Sequence, residues 1–448
     1  MSSTLADSNL VLEKTGHVEL TEEEKEEAEK KCREIKMMIE KAVRNSDSLK
    51  SGPGKTPAPA VPVPAPPQEK PLKTDIRKEL SLPDPKESFQ RAKDNLTGYC
   101  RARKYERKLF RVYLNGLIDC MASKYPEISR DSGYKTFEDK ETPEISEGKG
   151  RTDCLNTRDG LFFMIDRVSQ KTPSLRQYRA NCAEDLFRNW RFGKIYSETD
   201  FITFLSAADC ENILYDMIIE SVRDLIPYEW SFSIDGTGFV SAVKNDSDFN
   251  RNGSAAHTAK DGRTVKKSDW ASLQVLAAQI SNVVVIPRLY CKYASSGQED
   301  ILGMVKEALK EGFKVERLFA DTAYSGKEYR NELGGLGIDY YCEFPSNVLP
   351  PVRNDESPWA KQYRYQEKHP DEFAVIYHSR STVENVPGVI KMRAGEKITS
   401  RTVEGYYKEV YCKVLAYNIF MMIHQLFING VVPHFVDEKE IAAVVKSS

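Results

Sequence analysis

Trp230-Ser-Phe-Ser-Ile-Asp-Gly-Thr-Gly238 is the stretch on which the fold turns. Trp230, Phe232 and Ile234 alternate with Ser231, Ser233 and Asp235, the period-two pattern of a half-buried strand, because successive strand side chains point to opposite faces. The pattern puts Asp235 at the end of the polar side and has Gly236 and Gly238 end the strand. Residues 270–278 and 283–291 predict two more strands, paired as a hairpin. Ile301 to Gly312 carries Ile301, Leu302, Val305, Ala308 and Leu309 on one helical face and stops at a glycine. Val315-Glu-Arg-Leu-Phe-Ala-Asp321 is a short apolar run suited to a buried strand, with Asp321 at its C-terminal end. Ser325 and Glu328 predict a capped helix, and Ile338-Asp-Tyr-Tyr-Cys-Glu-Phe344 a fifth strand.

Three strands, a helix, a strand, a helix, a strand, then a helix is the ribonuclease-H-like order. The expected fold class is therefore α/β, a mixed five-stranded sheet with flanking helices, preceded by an all-α domain. Asp235 and Asp321 fall at the ends of neighbouring strands, where sites in open α/β sheets form.

Upstream, composition changes sharply. Within residues 1–50, Thr21 with Glu24 opens a charged helix over 21–44. The Pro/Ala-rich run 51–75 cannot build helix or sheet and reads as an extended linker. Residues 76–228 are helical in pattern, with Phe89, Leu96, Tyr99, Leu109, Tyr113, Leu117 and Met121 on one stripe. Arg101, Arg103, Lys104, Arg107, Lys108 and Arg111 form a basic face that equally fits a solvated surface. Arg158 to Val168, then Thr172-Pro173 as N-cap and first turn, then Arg176, Gln177 and Arg179 suit a helix-turn-helix DNA-reading element. Many helical hairpins with surface arginines share that pattern.

The bulk numbers exclude more than they name. No stretch reaches the ~18 consecutive apolar residues of a membrane helix, and the N-terminus has no secretory pattern. Nine cysteines without a C-x-x-C pair and six histidines without a ligand pair give no zinc signature. The net charge of −2 means that any nucleic-acid surface must come from local segregation of charge.

Tyr377-His-Ser-Arg380-Ser-Thr-Val-Glu384-Asn-Val-Pro-Gly-Val-Ile-Lys391 supplies the third acid. Glu384 and Lys391 are seven residues apart, about 20° from perfect alignment on a helix. Tyr377, Arg380 and Lys391 can grip phosphate oxygens around that carboxylate. Asp235, Asp321 and Glu384 would bind two hard divalent cations, Mg²⁺ or Mn²⁺, because all the donors are oxygen. Two such cations suit in-line phosphoryl transfer. Simpler roles exist for each acid: a turn at Asp235-Gly236, an N-cap at Asp321, and a capping box of Ser381 with Glu384. Pro387 should kink the helix.

Asp235 in Ser-Ile-Asp-Gly-Thr-Gly, Asp321 in Phe-Ala-Asp-Thr-Ala-Tyr-Ser-Gly, and Tyr377-x2-Arg380-x3-Glu384-x6-Lys391 resemble the DDE transposases of bacterial and archaeal insertion sequences. The Tyr-Arg-Glu-Lys signature is that of the insertion-sequence-four group. The resemblance covers about 229–430. It implies a DNA transposase, homodimeric on DNA ends, that cleaves double-stranded DNA at terminal inverted repeats and joins it to target DNA. Tyr377, Arg380 and Lys391 would contact DNA near the cleaved end. The interval from Asp321 to Glu384 is 63 positions (384 − 321), which leaves only about 346–376 as a reduced insert. Trp359 in that insert would stack a flipped base or pack locally. Arg393 and Lys397 begin a basic, DNA-facing stretch that passes into a core helix, and residues 431–448 form a tail. The expected location is cytoplasmic, at the nucleoid, with no membrane role. A ribonuclease-H-like nuclease without strand transfer, or a domesticated regulatory DNA-binding protein, is the alternative.

Overall fold

A computed structural model describes residues 80–90, 96–128, 157–171, 173–190, 192, 195–207, 210–241, 257–258, 264–265, 270–290, 300–378, 380–400 and 403–447. The charged segment 21–44 and the 51–75 linker lie outside them. Of the described residues, 80–360 and 380–447 belong to one compact unit, and 361–378 to another.

In the larger unit, helices α1 (Pro85–Gln90), α2 (Leu96–Met121), α3 (Thr157–Ser169), α4 (Leu175–Asn189), α5 (Glu198–Ala207) and α6 (Glu211–Glu220) precede the sheet. Then come β1 (Ser231–Ser241), the short β2 (His257–Thr258) and β3 (Thr264–Val265), β4 (Trp270–Ala278) and β5 (Val284–Tyr290). Helix α7 (Ile301–Lys310), β6 (Arg317–Ala320), α8 (Lys327–Gly335) and β7 (Asp339–Tyr341) follow, and α9 (Pro358–Lys368) runs into the smaller unit, which also holds α10 (Pro370–His378). The larger unit resumes with α11 (Ser381–Ala394), β8 (Lys397–Ile398), α12 (Val403–Asn429) and α13 (Glu438–Lys446).

The five main strands lie in the order β5-β4-β1-β6-β7. β5, β4 and β1 are antiparallel neighbours, whereas β1, β6 and β7 run parallel. This is the mixed five-stranded sheet with flanking helices expected of a ribonuclease-H-like domain. Two details of β1 differ from expectation. The strand does not stop at Gly236 but continues through both glycines, because β4 pairs with it as far as Val240. Nor is it half-buried: Ser231 and Ser233 are 5% and 1% exposed, since a central strand is covered on both faces.

Residues on either side of position 228 share one hydrophobic core. Its axis is α12, which packs on α2, α3, α6 and α11. By length and composition α12 could cross a membrane, but its most apolar window is 89% buried inside the fold, as in a central core helix. Asn418 on α12 treats the edge strand β5 as a ladder partner: its Oδ1 accepts from Val284 N at 2.9 Å and its Nδ2 donates to Val284 O at 2.7 Å. A paired, covered edge cannot recruit another chain.

The start of the helical hairpin also differs. Helix α4 is capped by Ser174, whose hydroxyl accepts from Gln177 N at 3.2 Å, not by Thr172 with Pro173 in the first turn. Helix α3 is buried from Arg158 to Val168, so it is a core helix. Arg176 is exposed, and Arg179 donates from Nε to Tyr196 O at 3.0 Å. At α8 the N-cap is Gly326, without a side-chain bond, in place of Ser325.

Glu229, just before β1, is 1% exposed and accepts from Ser281 N at 2.8 Å in the β4–β5 turn. Burial pushes its carboxyl up to about 7, against the opposing hydrogen bonds from Ser281 and Ile280. A raised folded pKa means that the fold holds the proton longer than the unfolded chain does. The stability contribution is therefore complete below the unfolded carboxyl pKa and is lost as pH rises through about 7. Urea denaturation should show stability falling between pH 5 and 8, by roughly 3 kcal/mol at most. Glu229→Gln, which keeps the acceptor oxygen, should remove most of that fall.

Candidate active site

Strand β1 has two edges, and β4 occupies one of them along almost its whole length. On the other edge β6 pairs with β1 up to Ile234↔Ala320, and β8 pairs from Val240↔Lys397 onward. Among the described residues, 235–239 have no strand beside them on that edge. Asp235 and Asp321 are the next residues on β1 and β6 after their last pair, so they stand side by side where the pairing opens. Side chains in register on adjacent strands share a face.

Local hydrogen bonds orient both acids. Asp235 Oδ1 accepts from Gly236 N at 2.7 Å. Asp321 caps the short 3-10 turn Thr322–Tyr324, with Oδ1 accepting from Thr322 N at 2.6 Å and from its hydroxyl at 3.1 Å. The N-cap role foreseen as a simpler use of Asp321 is thus real, but it engages one oxygen of a half-exposed side chain. Arg380 Nη1 lies 3.8 Å from the same Oδ1.

Helix α11 spans this opening. Arg380 is its N-cap, which brings the helix start to Asp321. Nearer its C-terminus, Lys391 Nζ lies 5.6 Å from the Phe239 ring centre. Phe239 is four residues beyond Asp235, on the same face of β1. The helix therefore runs along β1 from the acids towards β8. Glu384 is the fourth residue of α11; the direction of its side chain lies outside what is described. With Arg380 as cap, Glu384 falls one residue past the capping-box position, so the box with Ser381 is not the arrangement here. Pro387 lies inside the helix, where its missing N–H leaves the Val383 carbonyl without the usual partner. Burial holds the Lys391 ammonium pKa below its ordinary value, with Glu396 opposing.

Two residues not singled out from the sequence join the acids. Tyr324, three positions after Asp321, is buried, and its hydroxyl would stand 3.4 Å from a Cβ on Gly236. A Cβ at 236 would touch that phenol, so the hydroxyl lies close to this turn of β1. Burial raises the Tyr324 pKa, and the charges of Asp235 and Asp321 raise it further while Gln274 opposes. The phenol is thus close to both carboxylates. Gln274, which pairs with Gly236 from β4, is 2% exposed, and its amide lies beside the Tyr324 phenol. Its signal in the sequence was one amide in a largely apolar strand.

The donor set suits a hard divalent cation: two carboxylates on neighbouring strands, one at least half exposed. Cys342 is near, donating to Asp321 O at 3.1 Å. Burial holds its thiol up at about 11, so it stays protonated and does not offer a soft ligand.

Three other residues expected to contact DNA are engaged in packing. Arg393 is turned inward: its Nη2 donates to Glu106 on α2 at 3.0 Å and its guanidinium lies over Phe420 at 4.6 Å. Burial pushes Glu106 up, but His424 and Arg393 outweigh it and hold the carboxyl at about 2. Arg393 is a core tether because a buried carboxylate on α2 needs its charge. Trp359 is not on a loop. It opens α9, is 9% exposed, meets Phe344 edge-to-face at 6.0 Å and lies under Lys327 Nζ at 4.6 Å, so it packs locally and offers no free ring face. Tyr377, in the smaller unit, is buried and stacks on Phe373 at 5.7 Å. Lys397 on β8 is exposed.

Residues 293–419 match the family model described as a transposase DDE domain. No curated protein matches the chain. The matched segment holds Asp321, Tyr377, Arg380, Glu384 and Lys391. Asp235 lies before it and is joined to it by the register of β1 with β6. The match supports a DNA-acting transposase, the class to which a ribonuclease-H-like sheet with acids at this position is suited.

Two variants check the framework. Trp359→Ala should lower stability by about 3 kcal/mol in urea denaturation, the usual scale for a buried tryptophan. Lys413→Met, which removes a buried ammonium bonded to Ala394 O, Gly395 O and Lys397 O at 3.0, 2.9 and 2.8 Å, should cost about 3 kcal/mol or more.

Proposed function

We propose that this chain is a DDE-type DNA transposase of the insertion-sequence-four group, in which Asp235, Asp321 and Glu384 hold two Mg²⁺ or Mn²⁺ ions. The observation that carries the reading is the register that sets Asp235 beside Asp321 at the opening of β1, with α11 starting against Asp321 through Arg380. When bound, such cations polarise the scissile phosphate and acidify the attacking water or 3′-hydroxyl. Asp235 and Asp321 orient the site from rigid strands, and Glu384 completes it from the first turn of α11. Arg380 lies against Asp321 and presents a planar fork to a flanking phosphate. Lys391 adds a second positive charge further along the same helix. Lys397 and Arg176 extend the DNA contact.

The substrate is double-stranded DNA carrying the terminal inverted repeats of the element, cleaved by a homodimer and joined to target DNA in the cytoplasm. A nuclease of the same fold would cut without joining, and recovery of joined product separates the two.

Asp235→Asn, Asp321→Asn and Glu384→Gln should each reduce metal-dependent cleavage of end-bearing DNA by at least about a hundredfold. End binding measured without metal should stay within a few-fold of the parent. Cleavage retained by any one of the three would remove that acid from the site.

A further inference from the structure

The C-terminal ends of α2 and α6 meet the turn between α12 and α13 at a mixed donor set. Cys120 Sγ, a carboxylate oxygen of Glu220 and His434 Nε2 all lie within 4.8 Å of one another. Nε2 is 3.7 Å from Sγ and 2.9 Å from Glu220 Oε1. In sequence these residues are hundreds of positions apart, so no ligand spacing announces them.

The surrounding bonds prepare the set. His434 Nδ1 lies 2.8 Å from Asp224 Oδ2, and the His434 backbone N–H donates to the same oxygen at 3.1 Å. A carboxylate on Nδ1 fixes the ring direction and aims Nε2 at Cys120 and Glu220, where it donates to Glu220 until an ion replaces its proton. This is the outer-shell arrangement of histidine ligands to zinc. Arg223 Nε donates to Glu220 Oε2 at 2.7 Å, so the other oxygen, Oε1, is the one turned towards His434. All three side chains are partly open to solvent, which provides an entry path and a fourth position for water.

The distances fit one ion. Tetrahedral zinc with ordinary bond lengths sets sulfur and nitrogen about 3.6 Å apart, and nitrogen and oxygen about 3.4 Å apart. The observed 3.7 Å needs no movement, and the 2.9 Å contact needs Glu220 to move back by about half an ångström. A thiolate, an imidazole and a carboxylate together select a borderline-soft ion over Mg²⁺.

We propose that Cys120, Glu220 and His434 form a transition-metal site of the zinc class, with Asp224 positioning the histidine. It shares no residue with the acid site on β1. Binding forms metal–sulfur, metal–nitrogen and metal–oxygen bonds and releases two protons to solvent, one from the Cys120 thiol and one from Nε2 of the His434 imidazolium. The ion would staple the end of α2 to α6 and to the turn that leads into α13. Without metal, His434 bridges Glu220 and Asp224 as an ion-pair clasp.

The test uses the full chain, stripped with chelator and titrated with Co²⁺ in excess Mg²⁺. One equivalent of Co²⁺ should bring thiolate-to-cobalt charge-transfer absorption and tetrahedral ligand-field bands, both removed by Zn²⁺. Cys120→Ser, close to isosteric, should abolish the charge-transfer absorption, and Glu220→Gln should weaken binding at least about tenfold. Zn²⁺ should raise the thermal midpoint of the parent but not of Cys120→Ser. No thiolate absorption in the folded parent, or absorption unchanged in Cys120→Ser, would overturn the site and leave only the ion-pair clasp.

Discussion

A buried ammonium on the core helix holds the site together. Lys413 of α12 is fully buried, and its Nζ donates to the carbonyls of Ala394, Gly395 and Lys397, with Glu409 at 3.6 Å. Burial lowers its pKa and Glu409 opposes. Isolated charge in an apolar core is costly, and this one persists because three acceptors and a carboxylate surround it. Two of those carbonyls close α11, where the helix dipole is negative and Gly395 takes φ +85 to turn the chain. The third belongs to β8. Glu409 in turn accepts from the backbone N–H groups of Thr399 and Ser400. One turn of α12 thereby fixes where α11 ends and where β8 meets β1.

The geometry of the site follows from that fixation. β8 returns to β1 only at Val240, and β6 leaves at Ile234. The interval between them is an edge of β1 that α11 covers and that, among the described residues, no strand fills. Acids placed there face an open region while their backbones belong to a rigid sheet, which suits chemistry that depends on position more than on flexibility. Tyr324 and Gln274 form a buried polar backing behind the same stretch, beside Gly236.

Positive charge is divided between outside and inside. Arg380 and Lys397 lie where nucleic acid could reach them, whereas Arg393 is bound to Glu106 and Arg111 to Asp166 and Asp185. Much of the basic face on α2 therefore serves helix packing. Arg101, for instance, donates to Leu80 O and covers the Phe427 ring. A near-neutral chain can still bind DNA if a few cations gather at one edge.

The period-two alternation before Asp235, the apolar run before Asp321 and the helical spacing from Arg380 to Lys391 were enough to predict the elements carrying the acids, their order and the sheet. These are local properties, set by which side chains a pleat or a helix turn can bury. Strand and helix ends were less legible. Gly236 and Gly238 look like terminators until β4 pairs across them, and Thr172 looks like a cap until Ser174 takes the place. The fate of long side chains was not legible at all. Arg393 points inward because Glu106, 287 positions away, is buried and needs a partner, and Trp359 is packed because Phe344 and Lys327 fold against it. The meeting of Cys120, Glu220 and His434 has the same origin. By itself the sequence determined which residues could do chemistry and on which kind of element each would ride. Which of them share a site was decided only by tertiary structure, because strand register and buried charge depend on residues far apart in the chain.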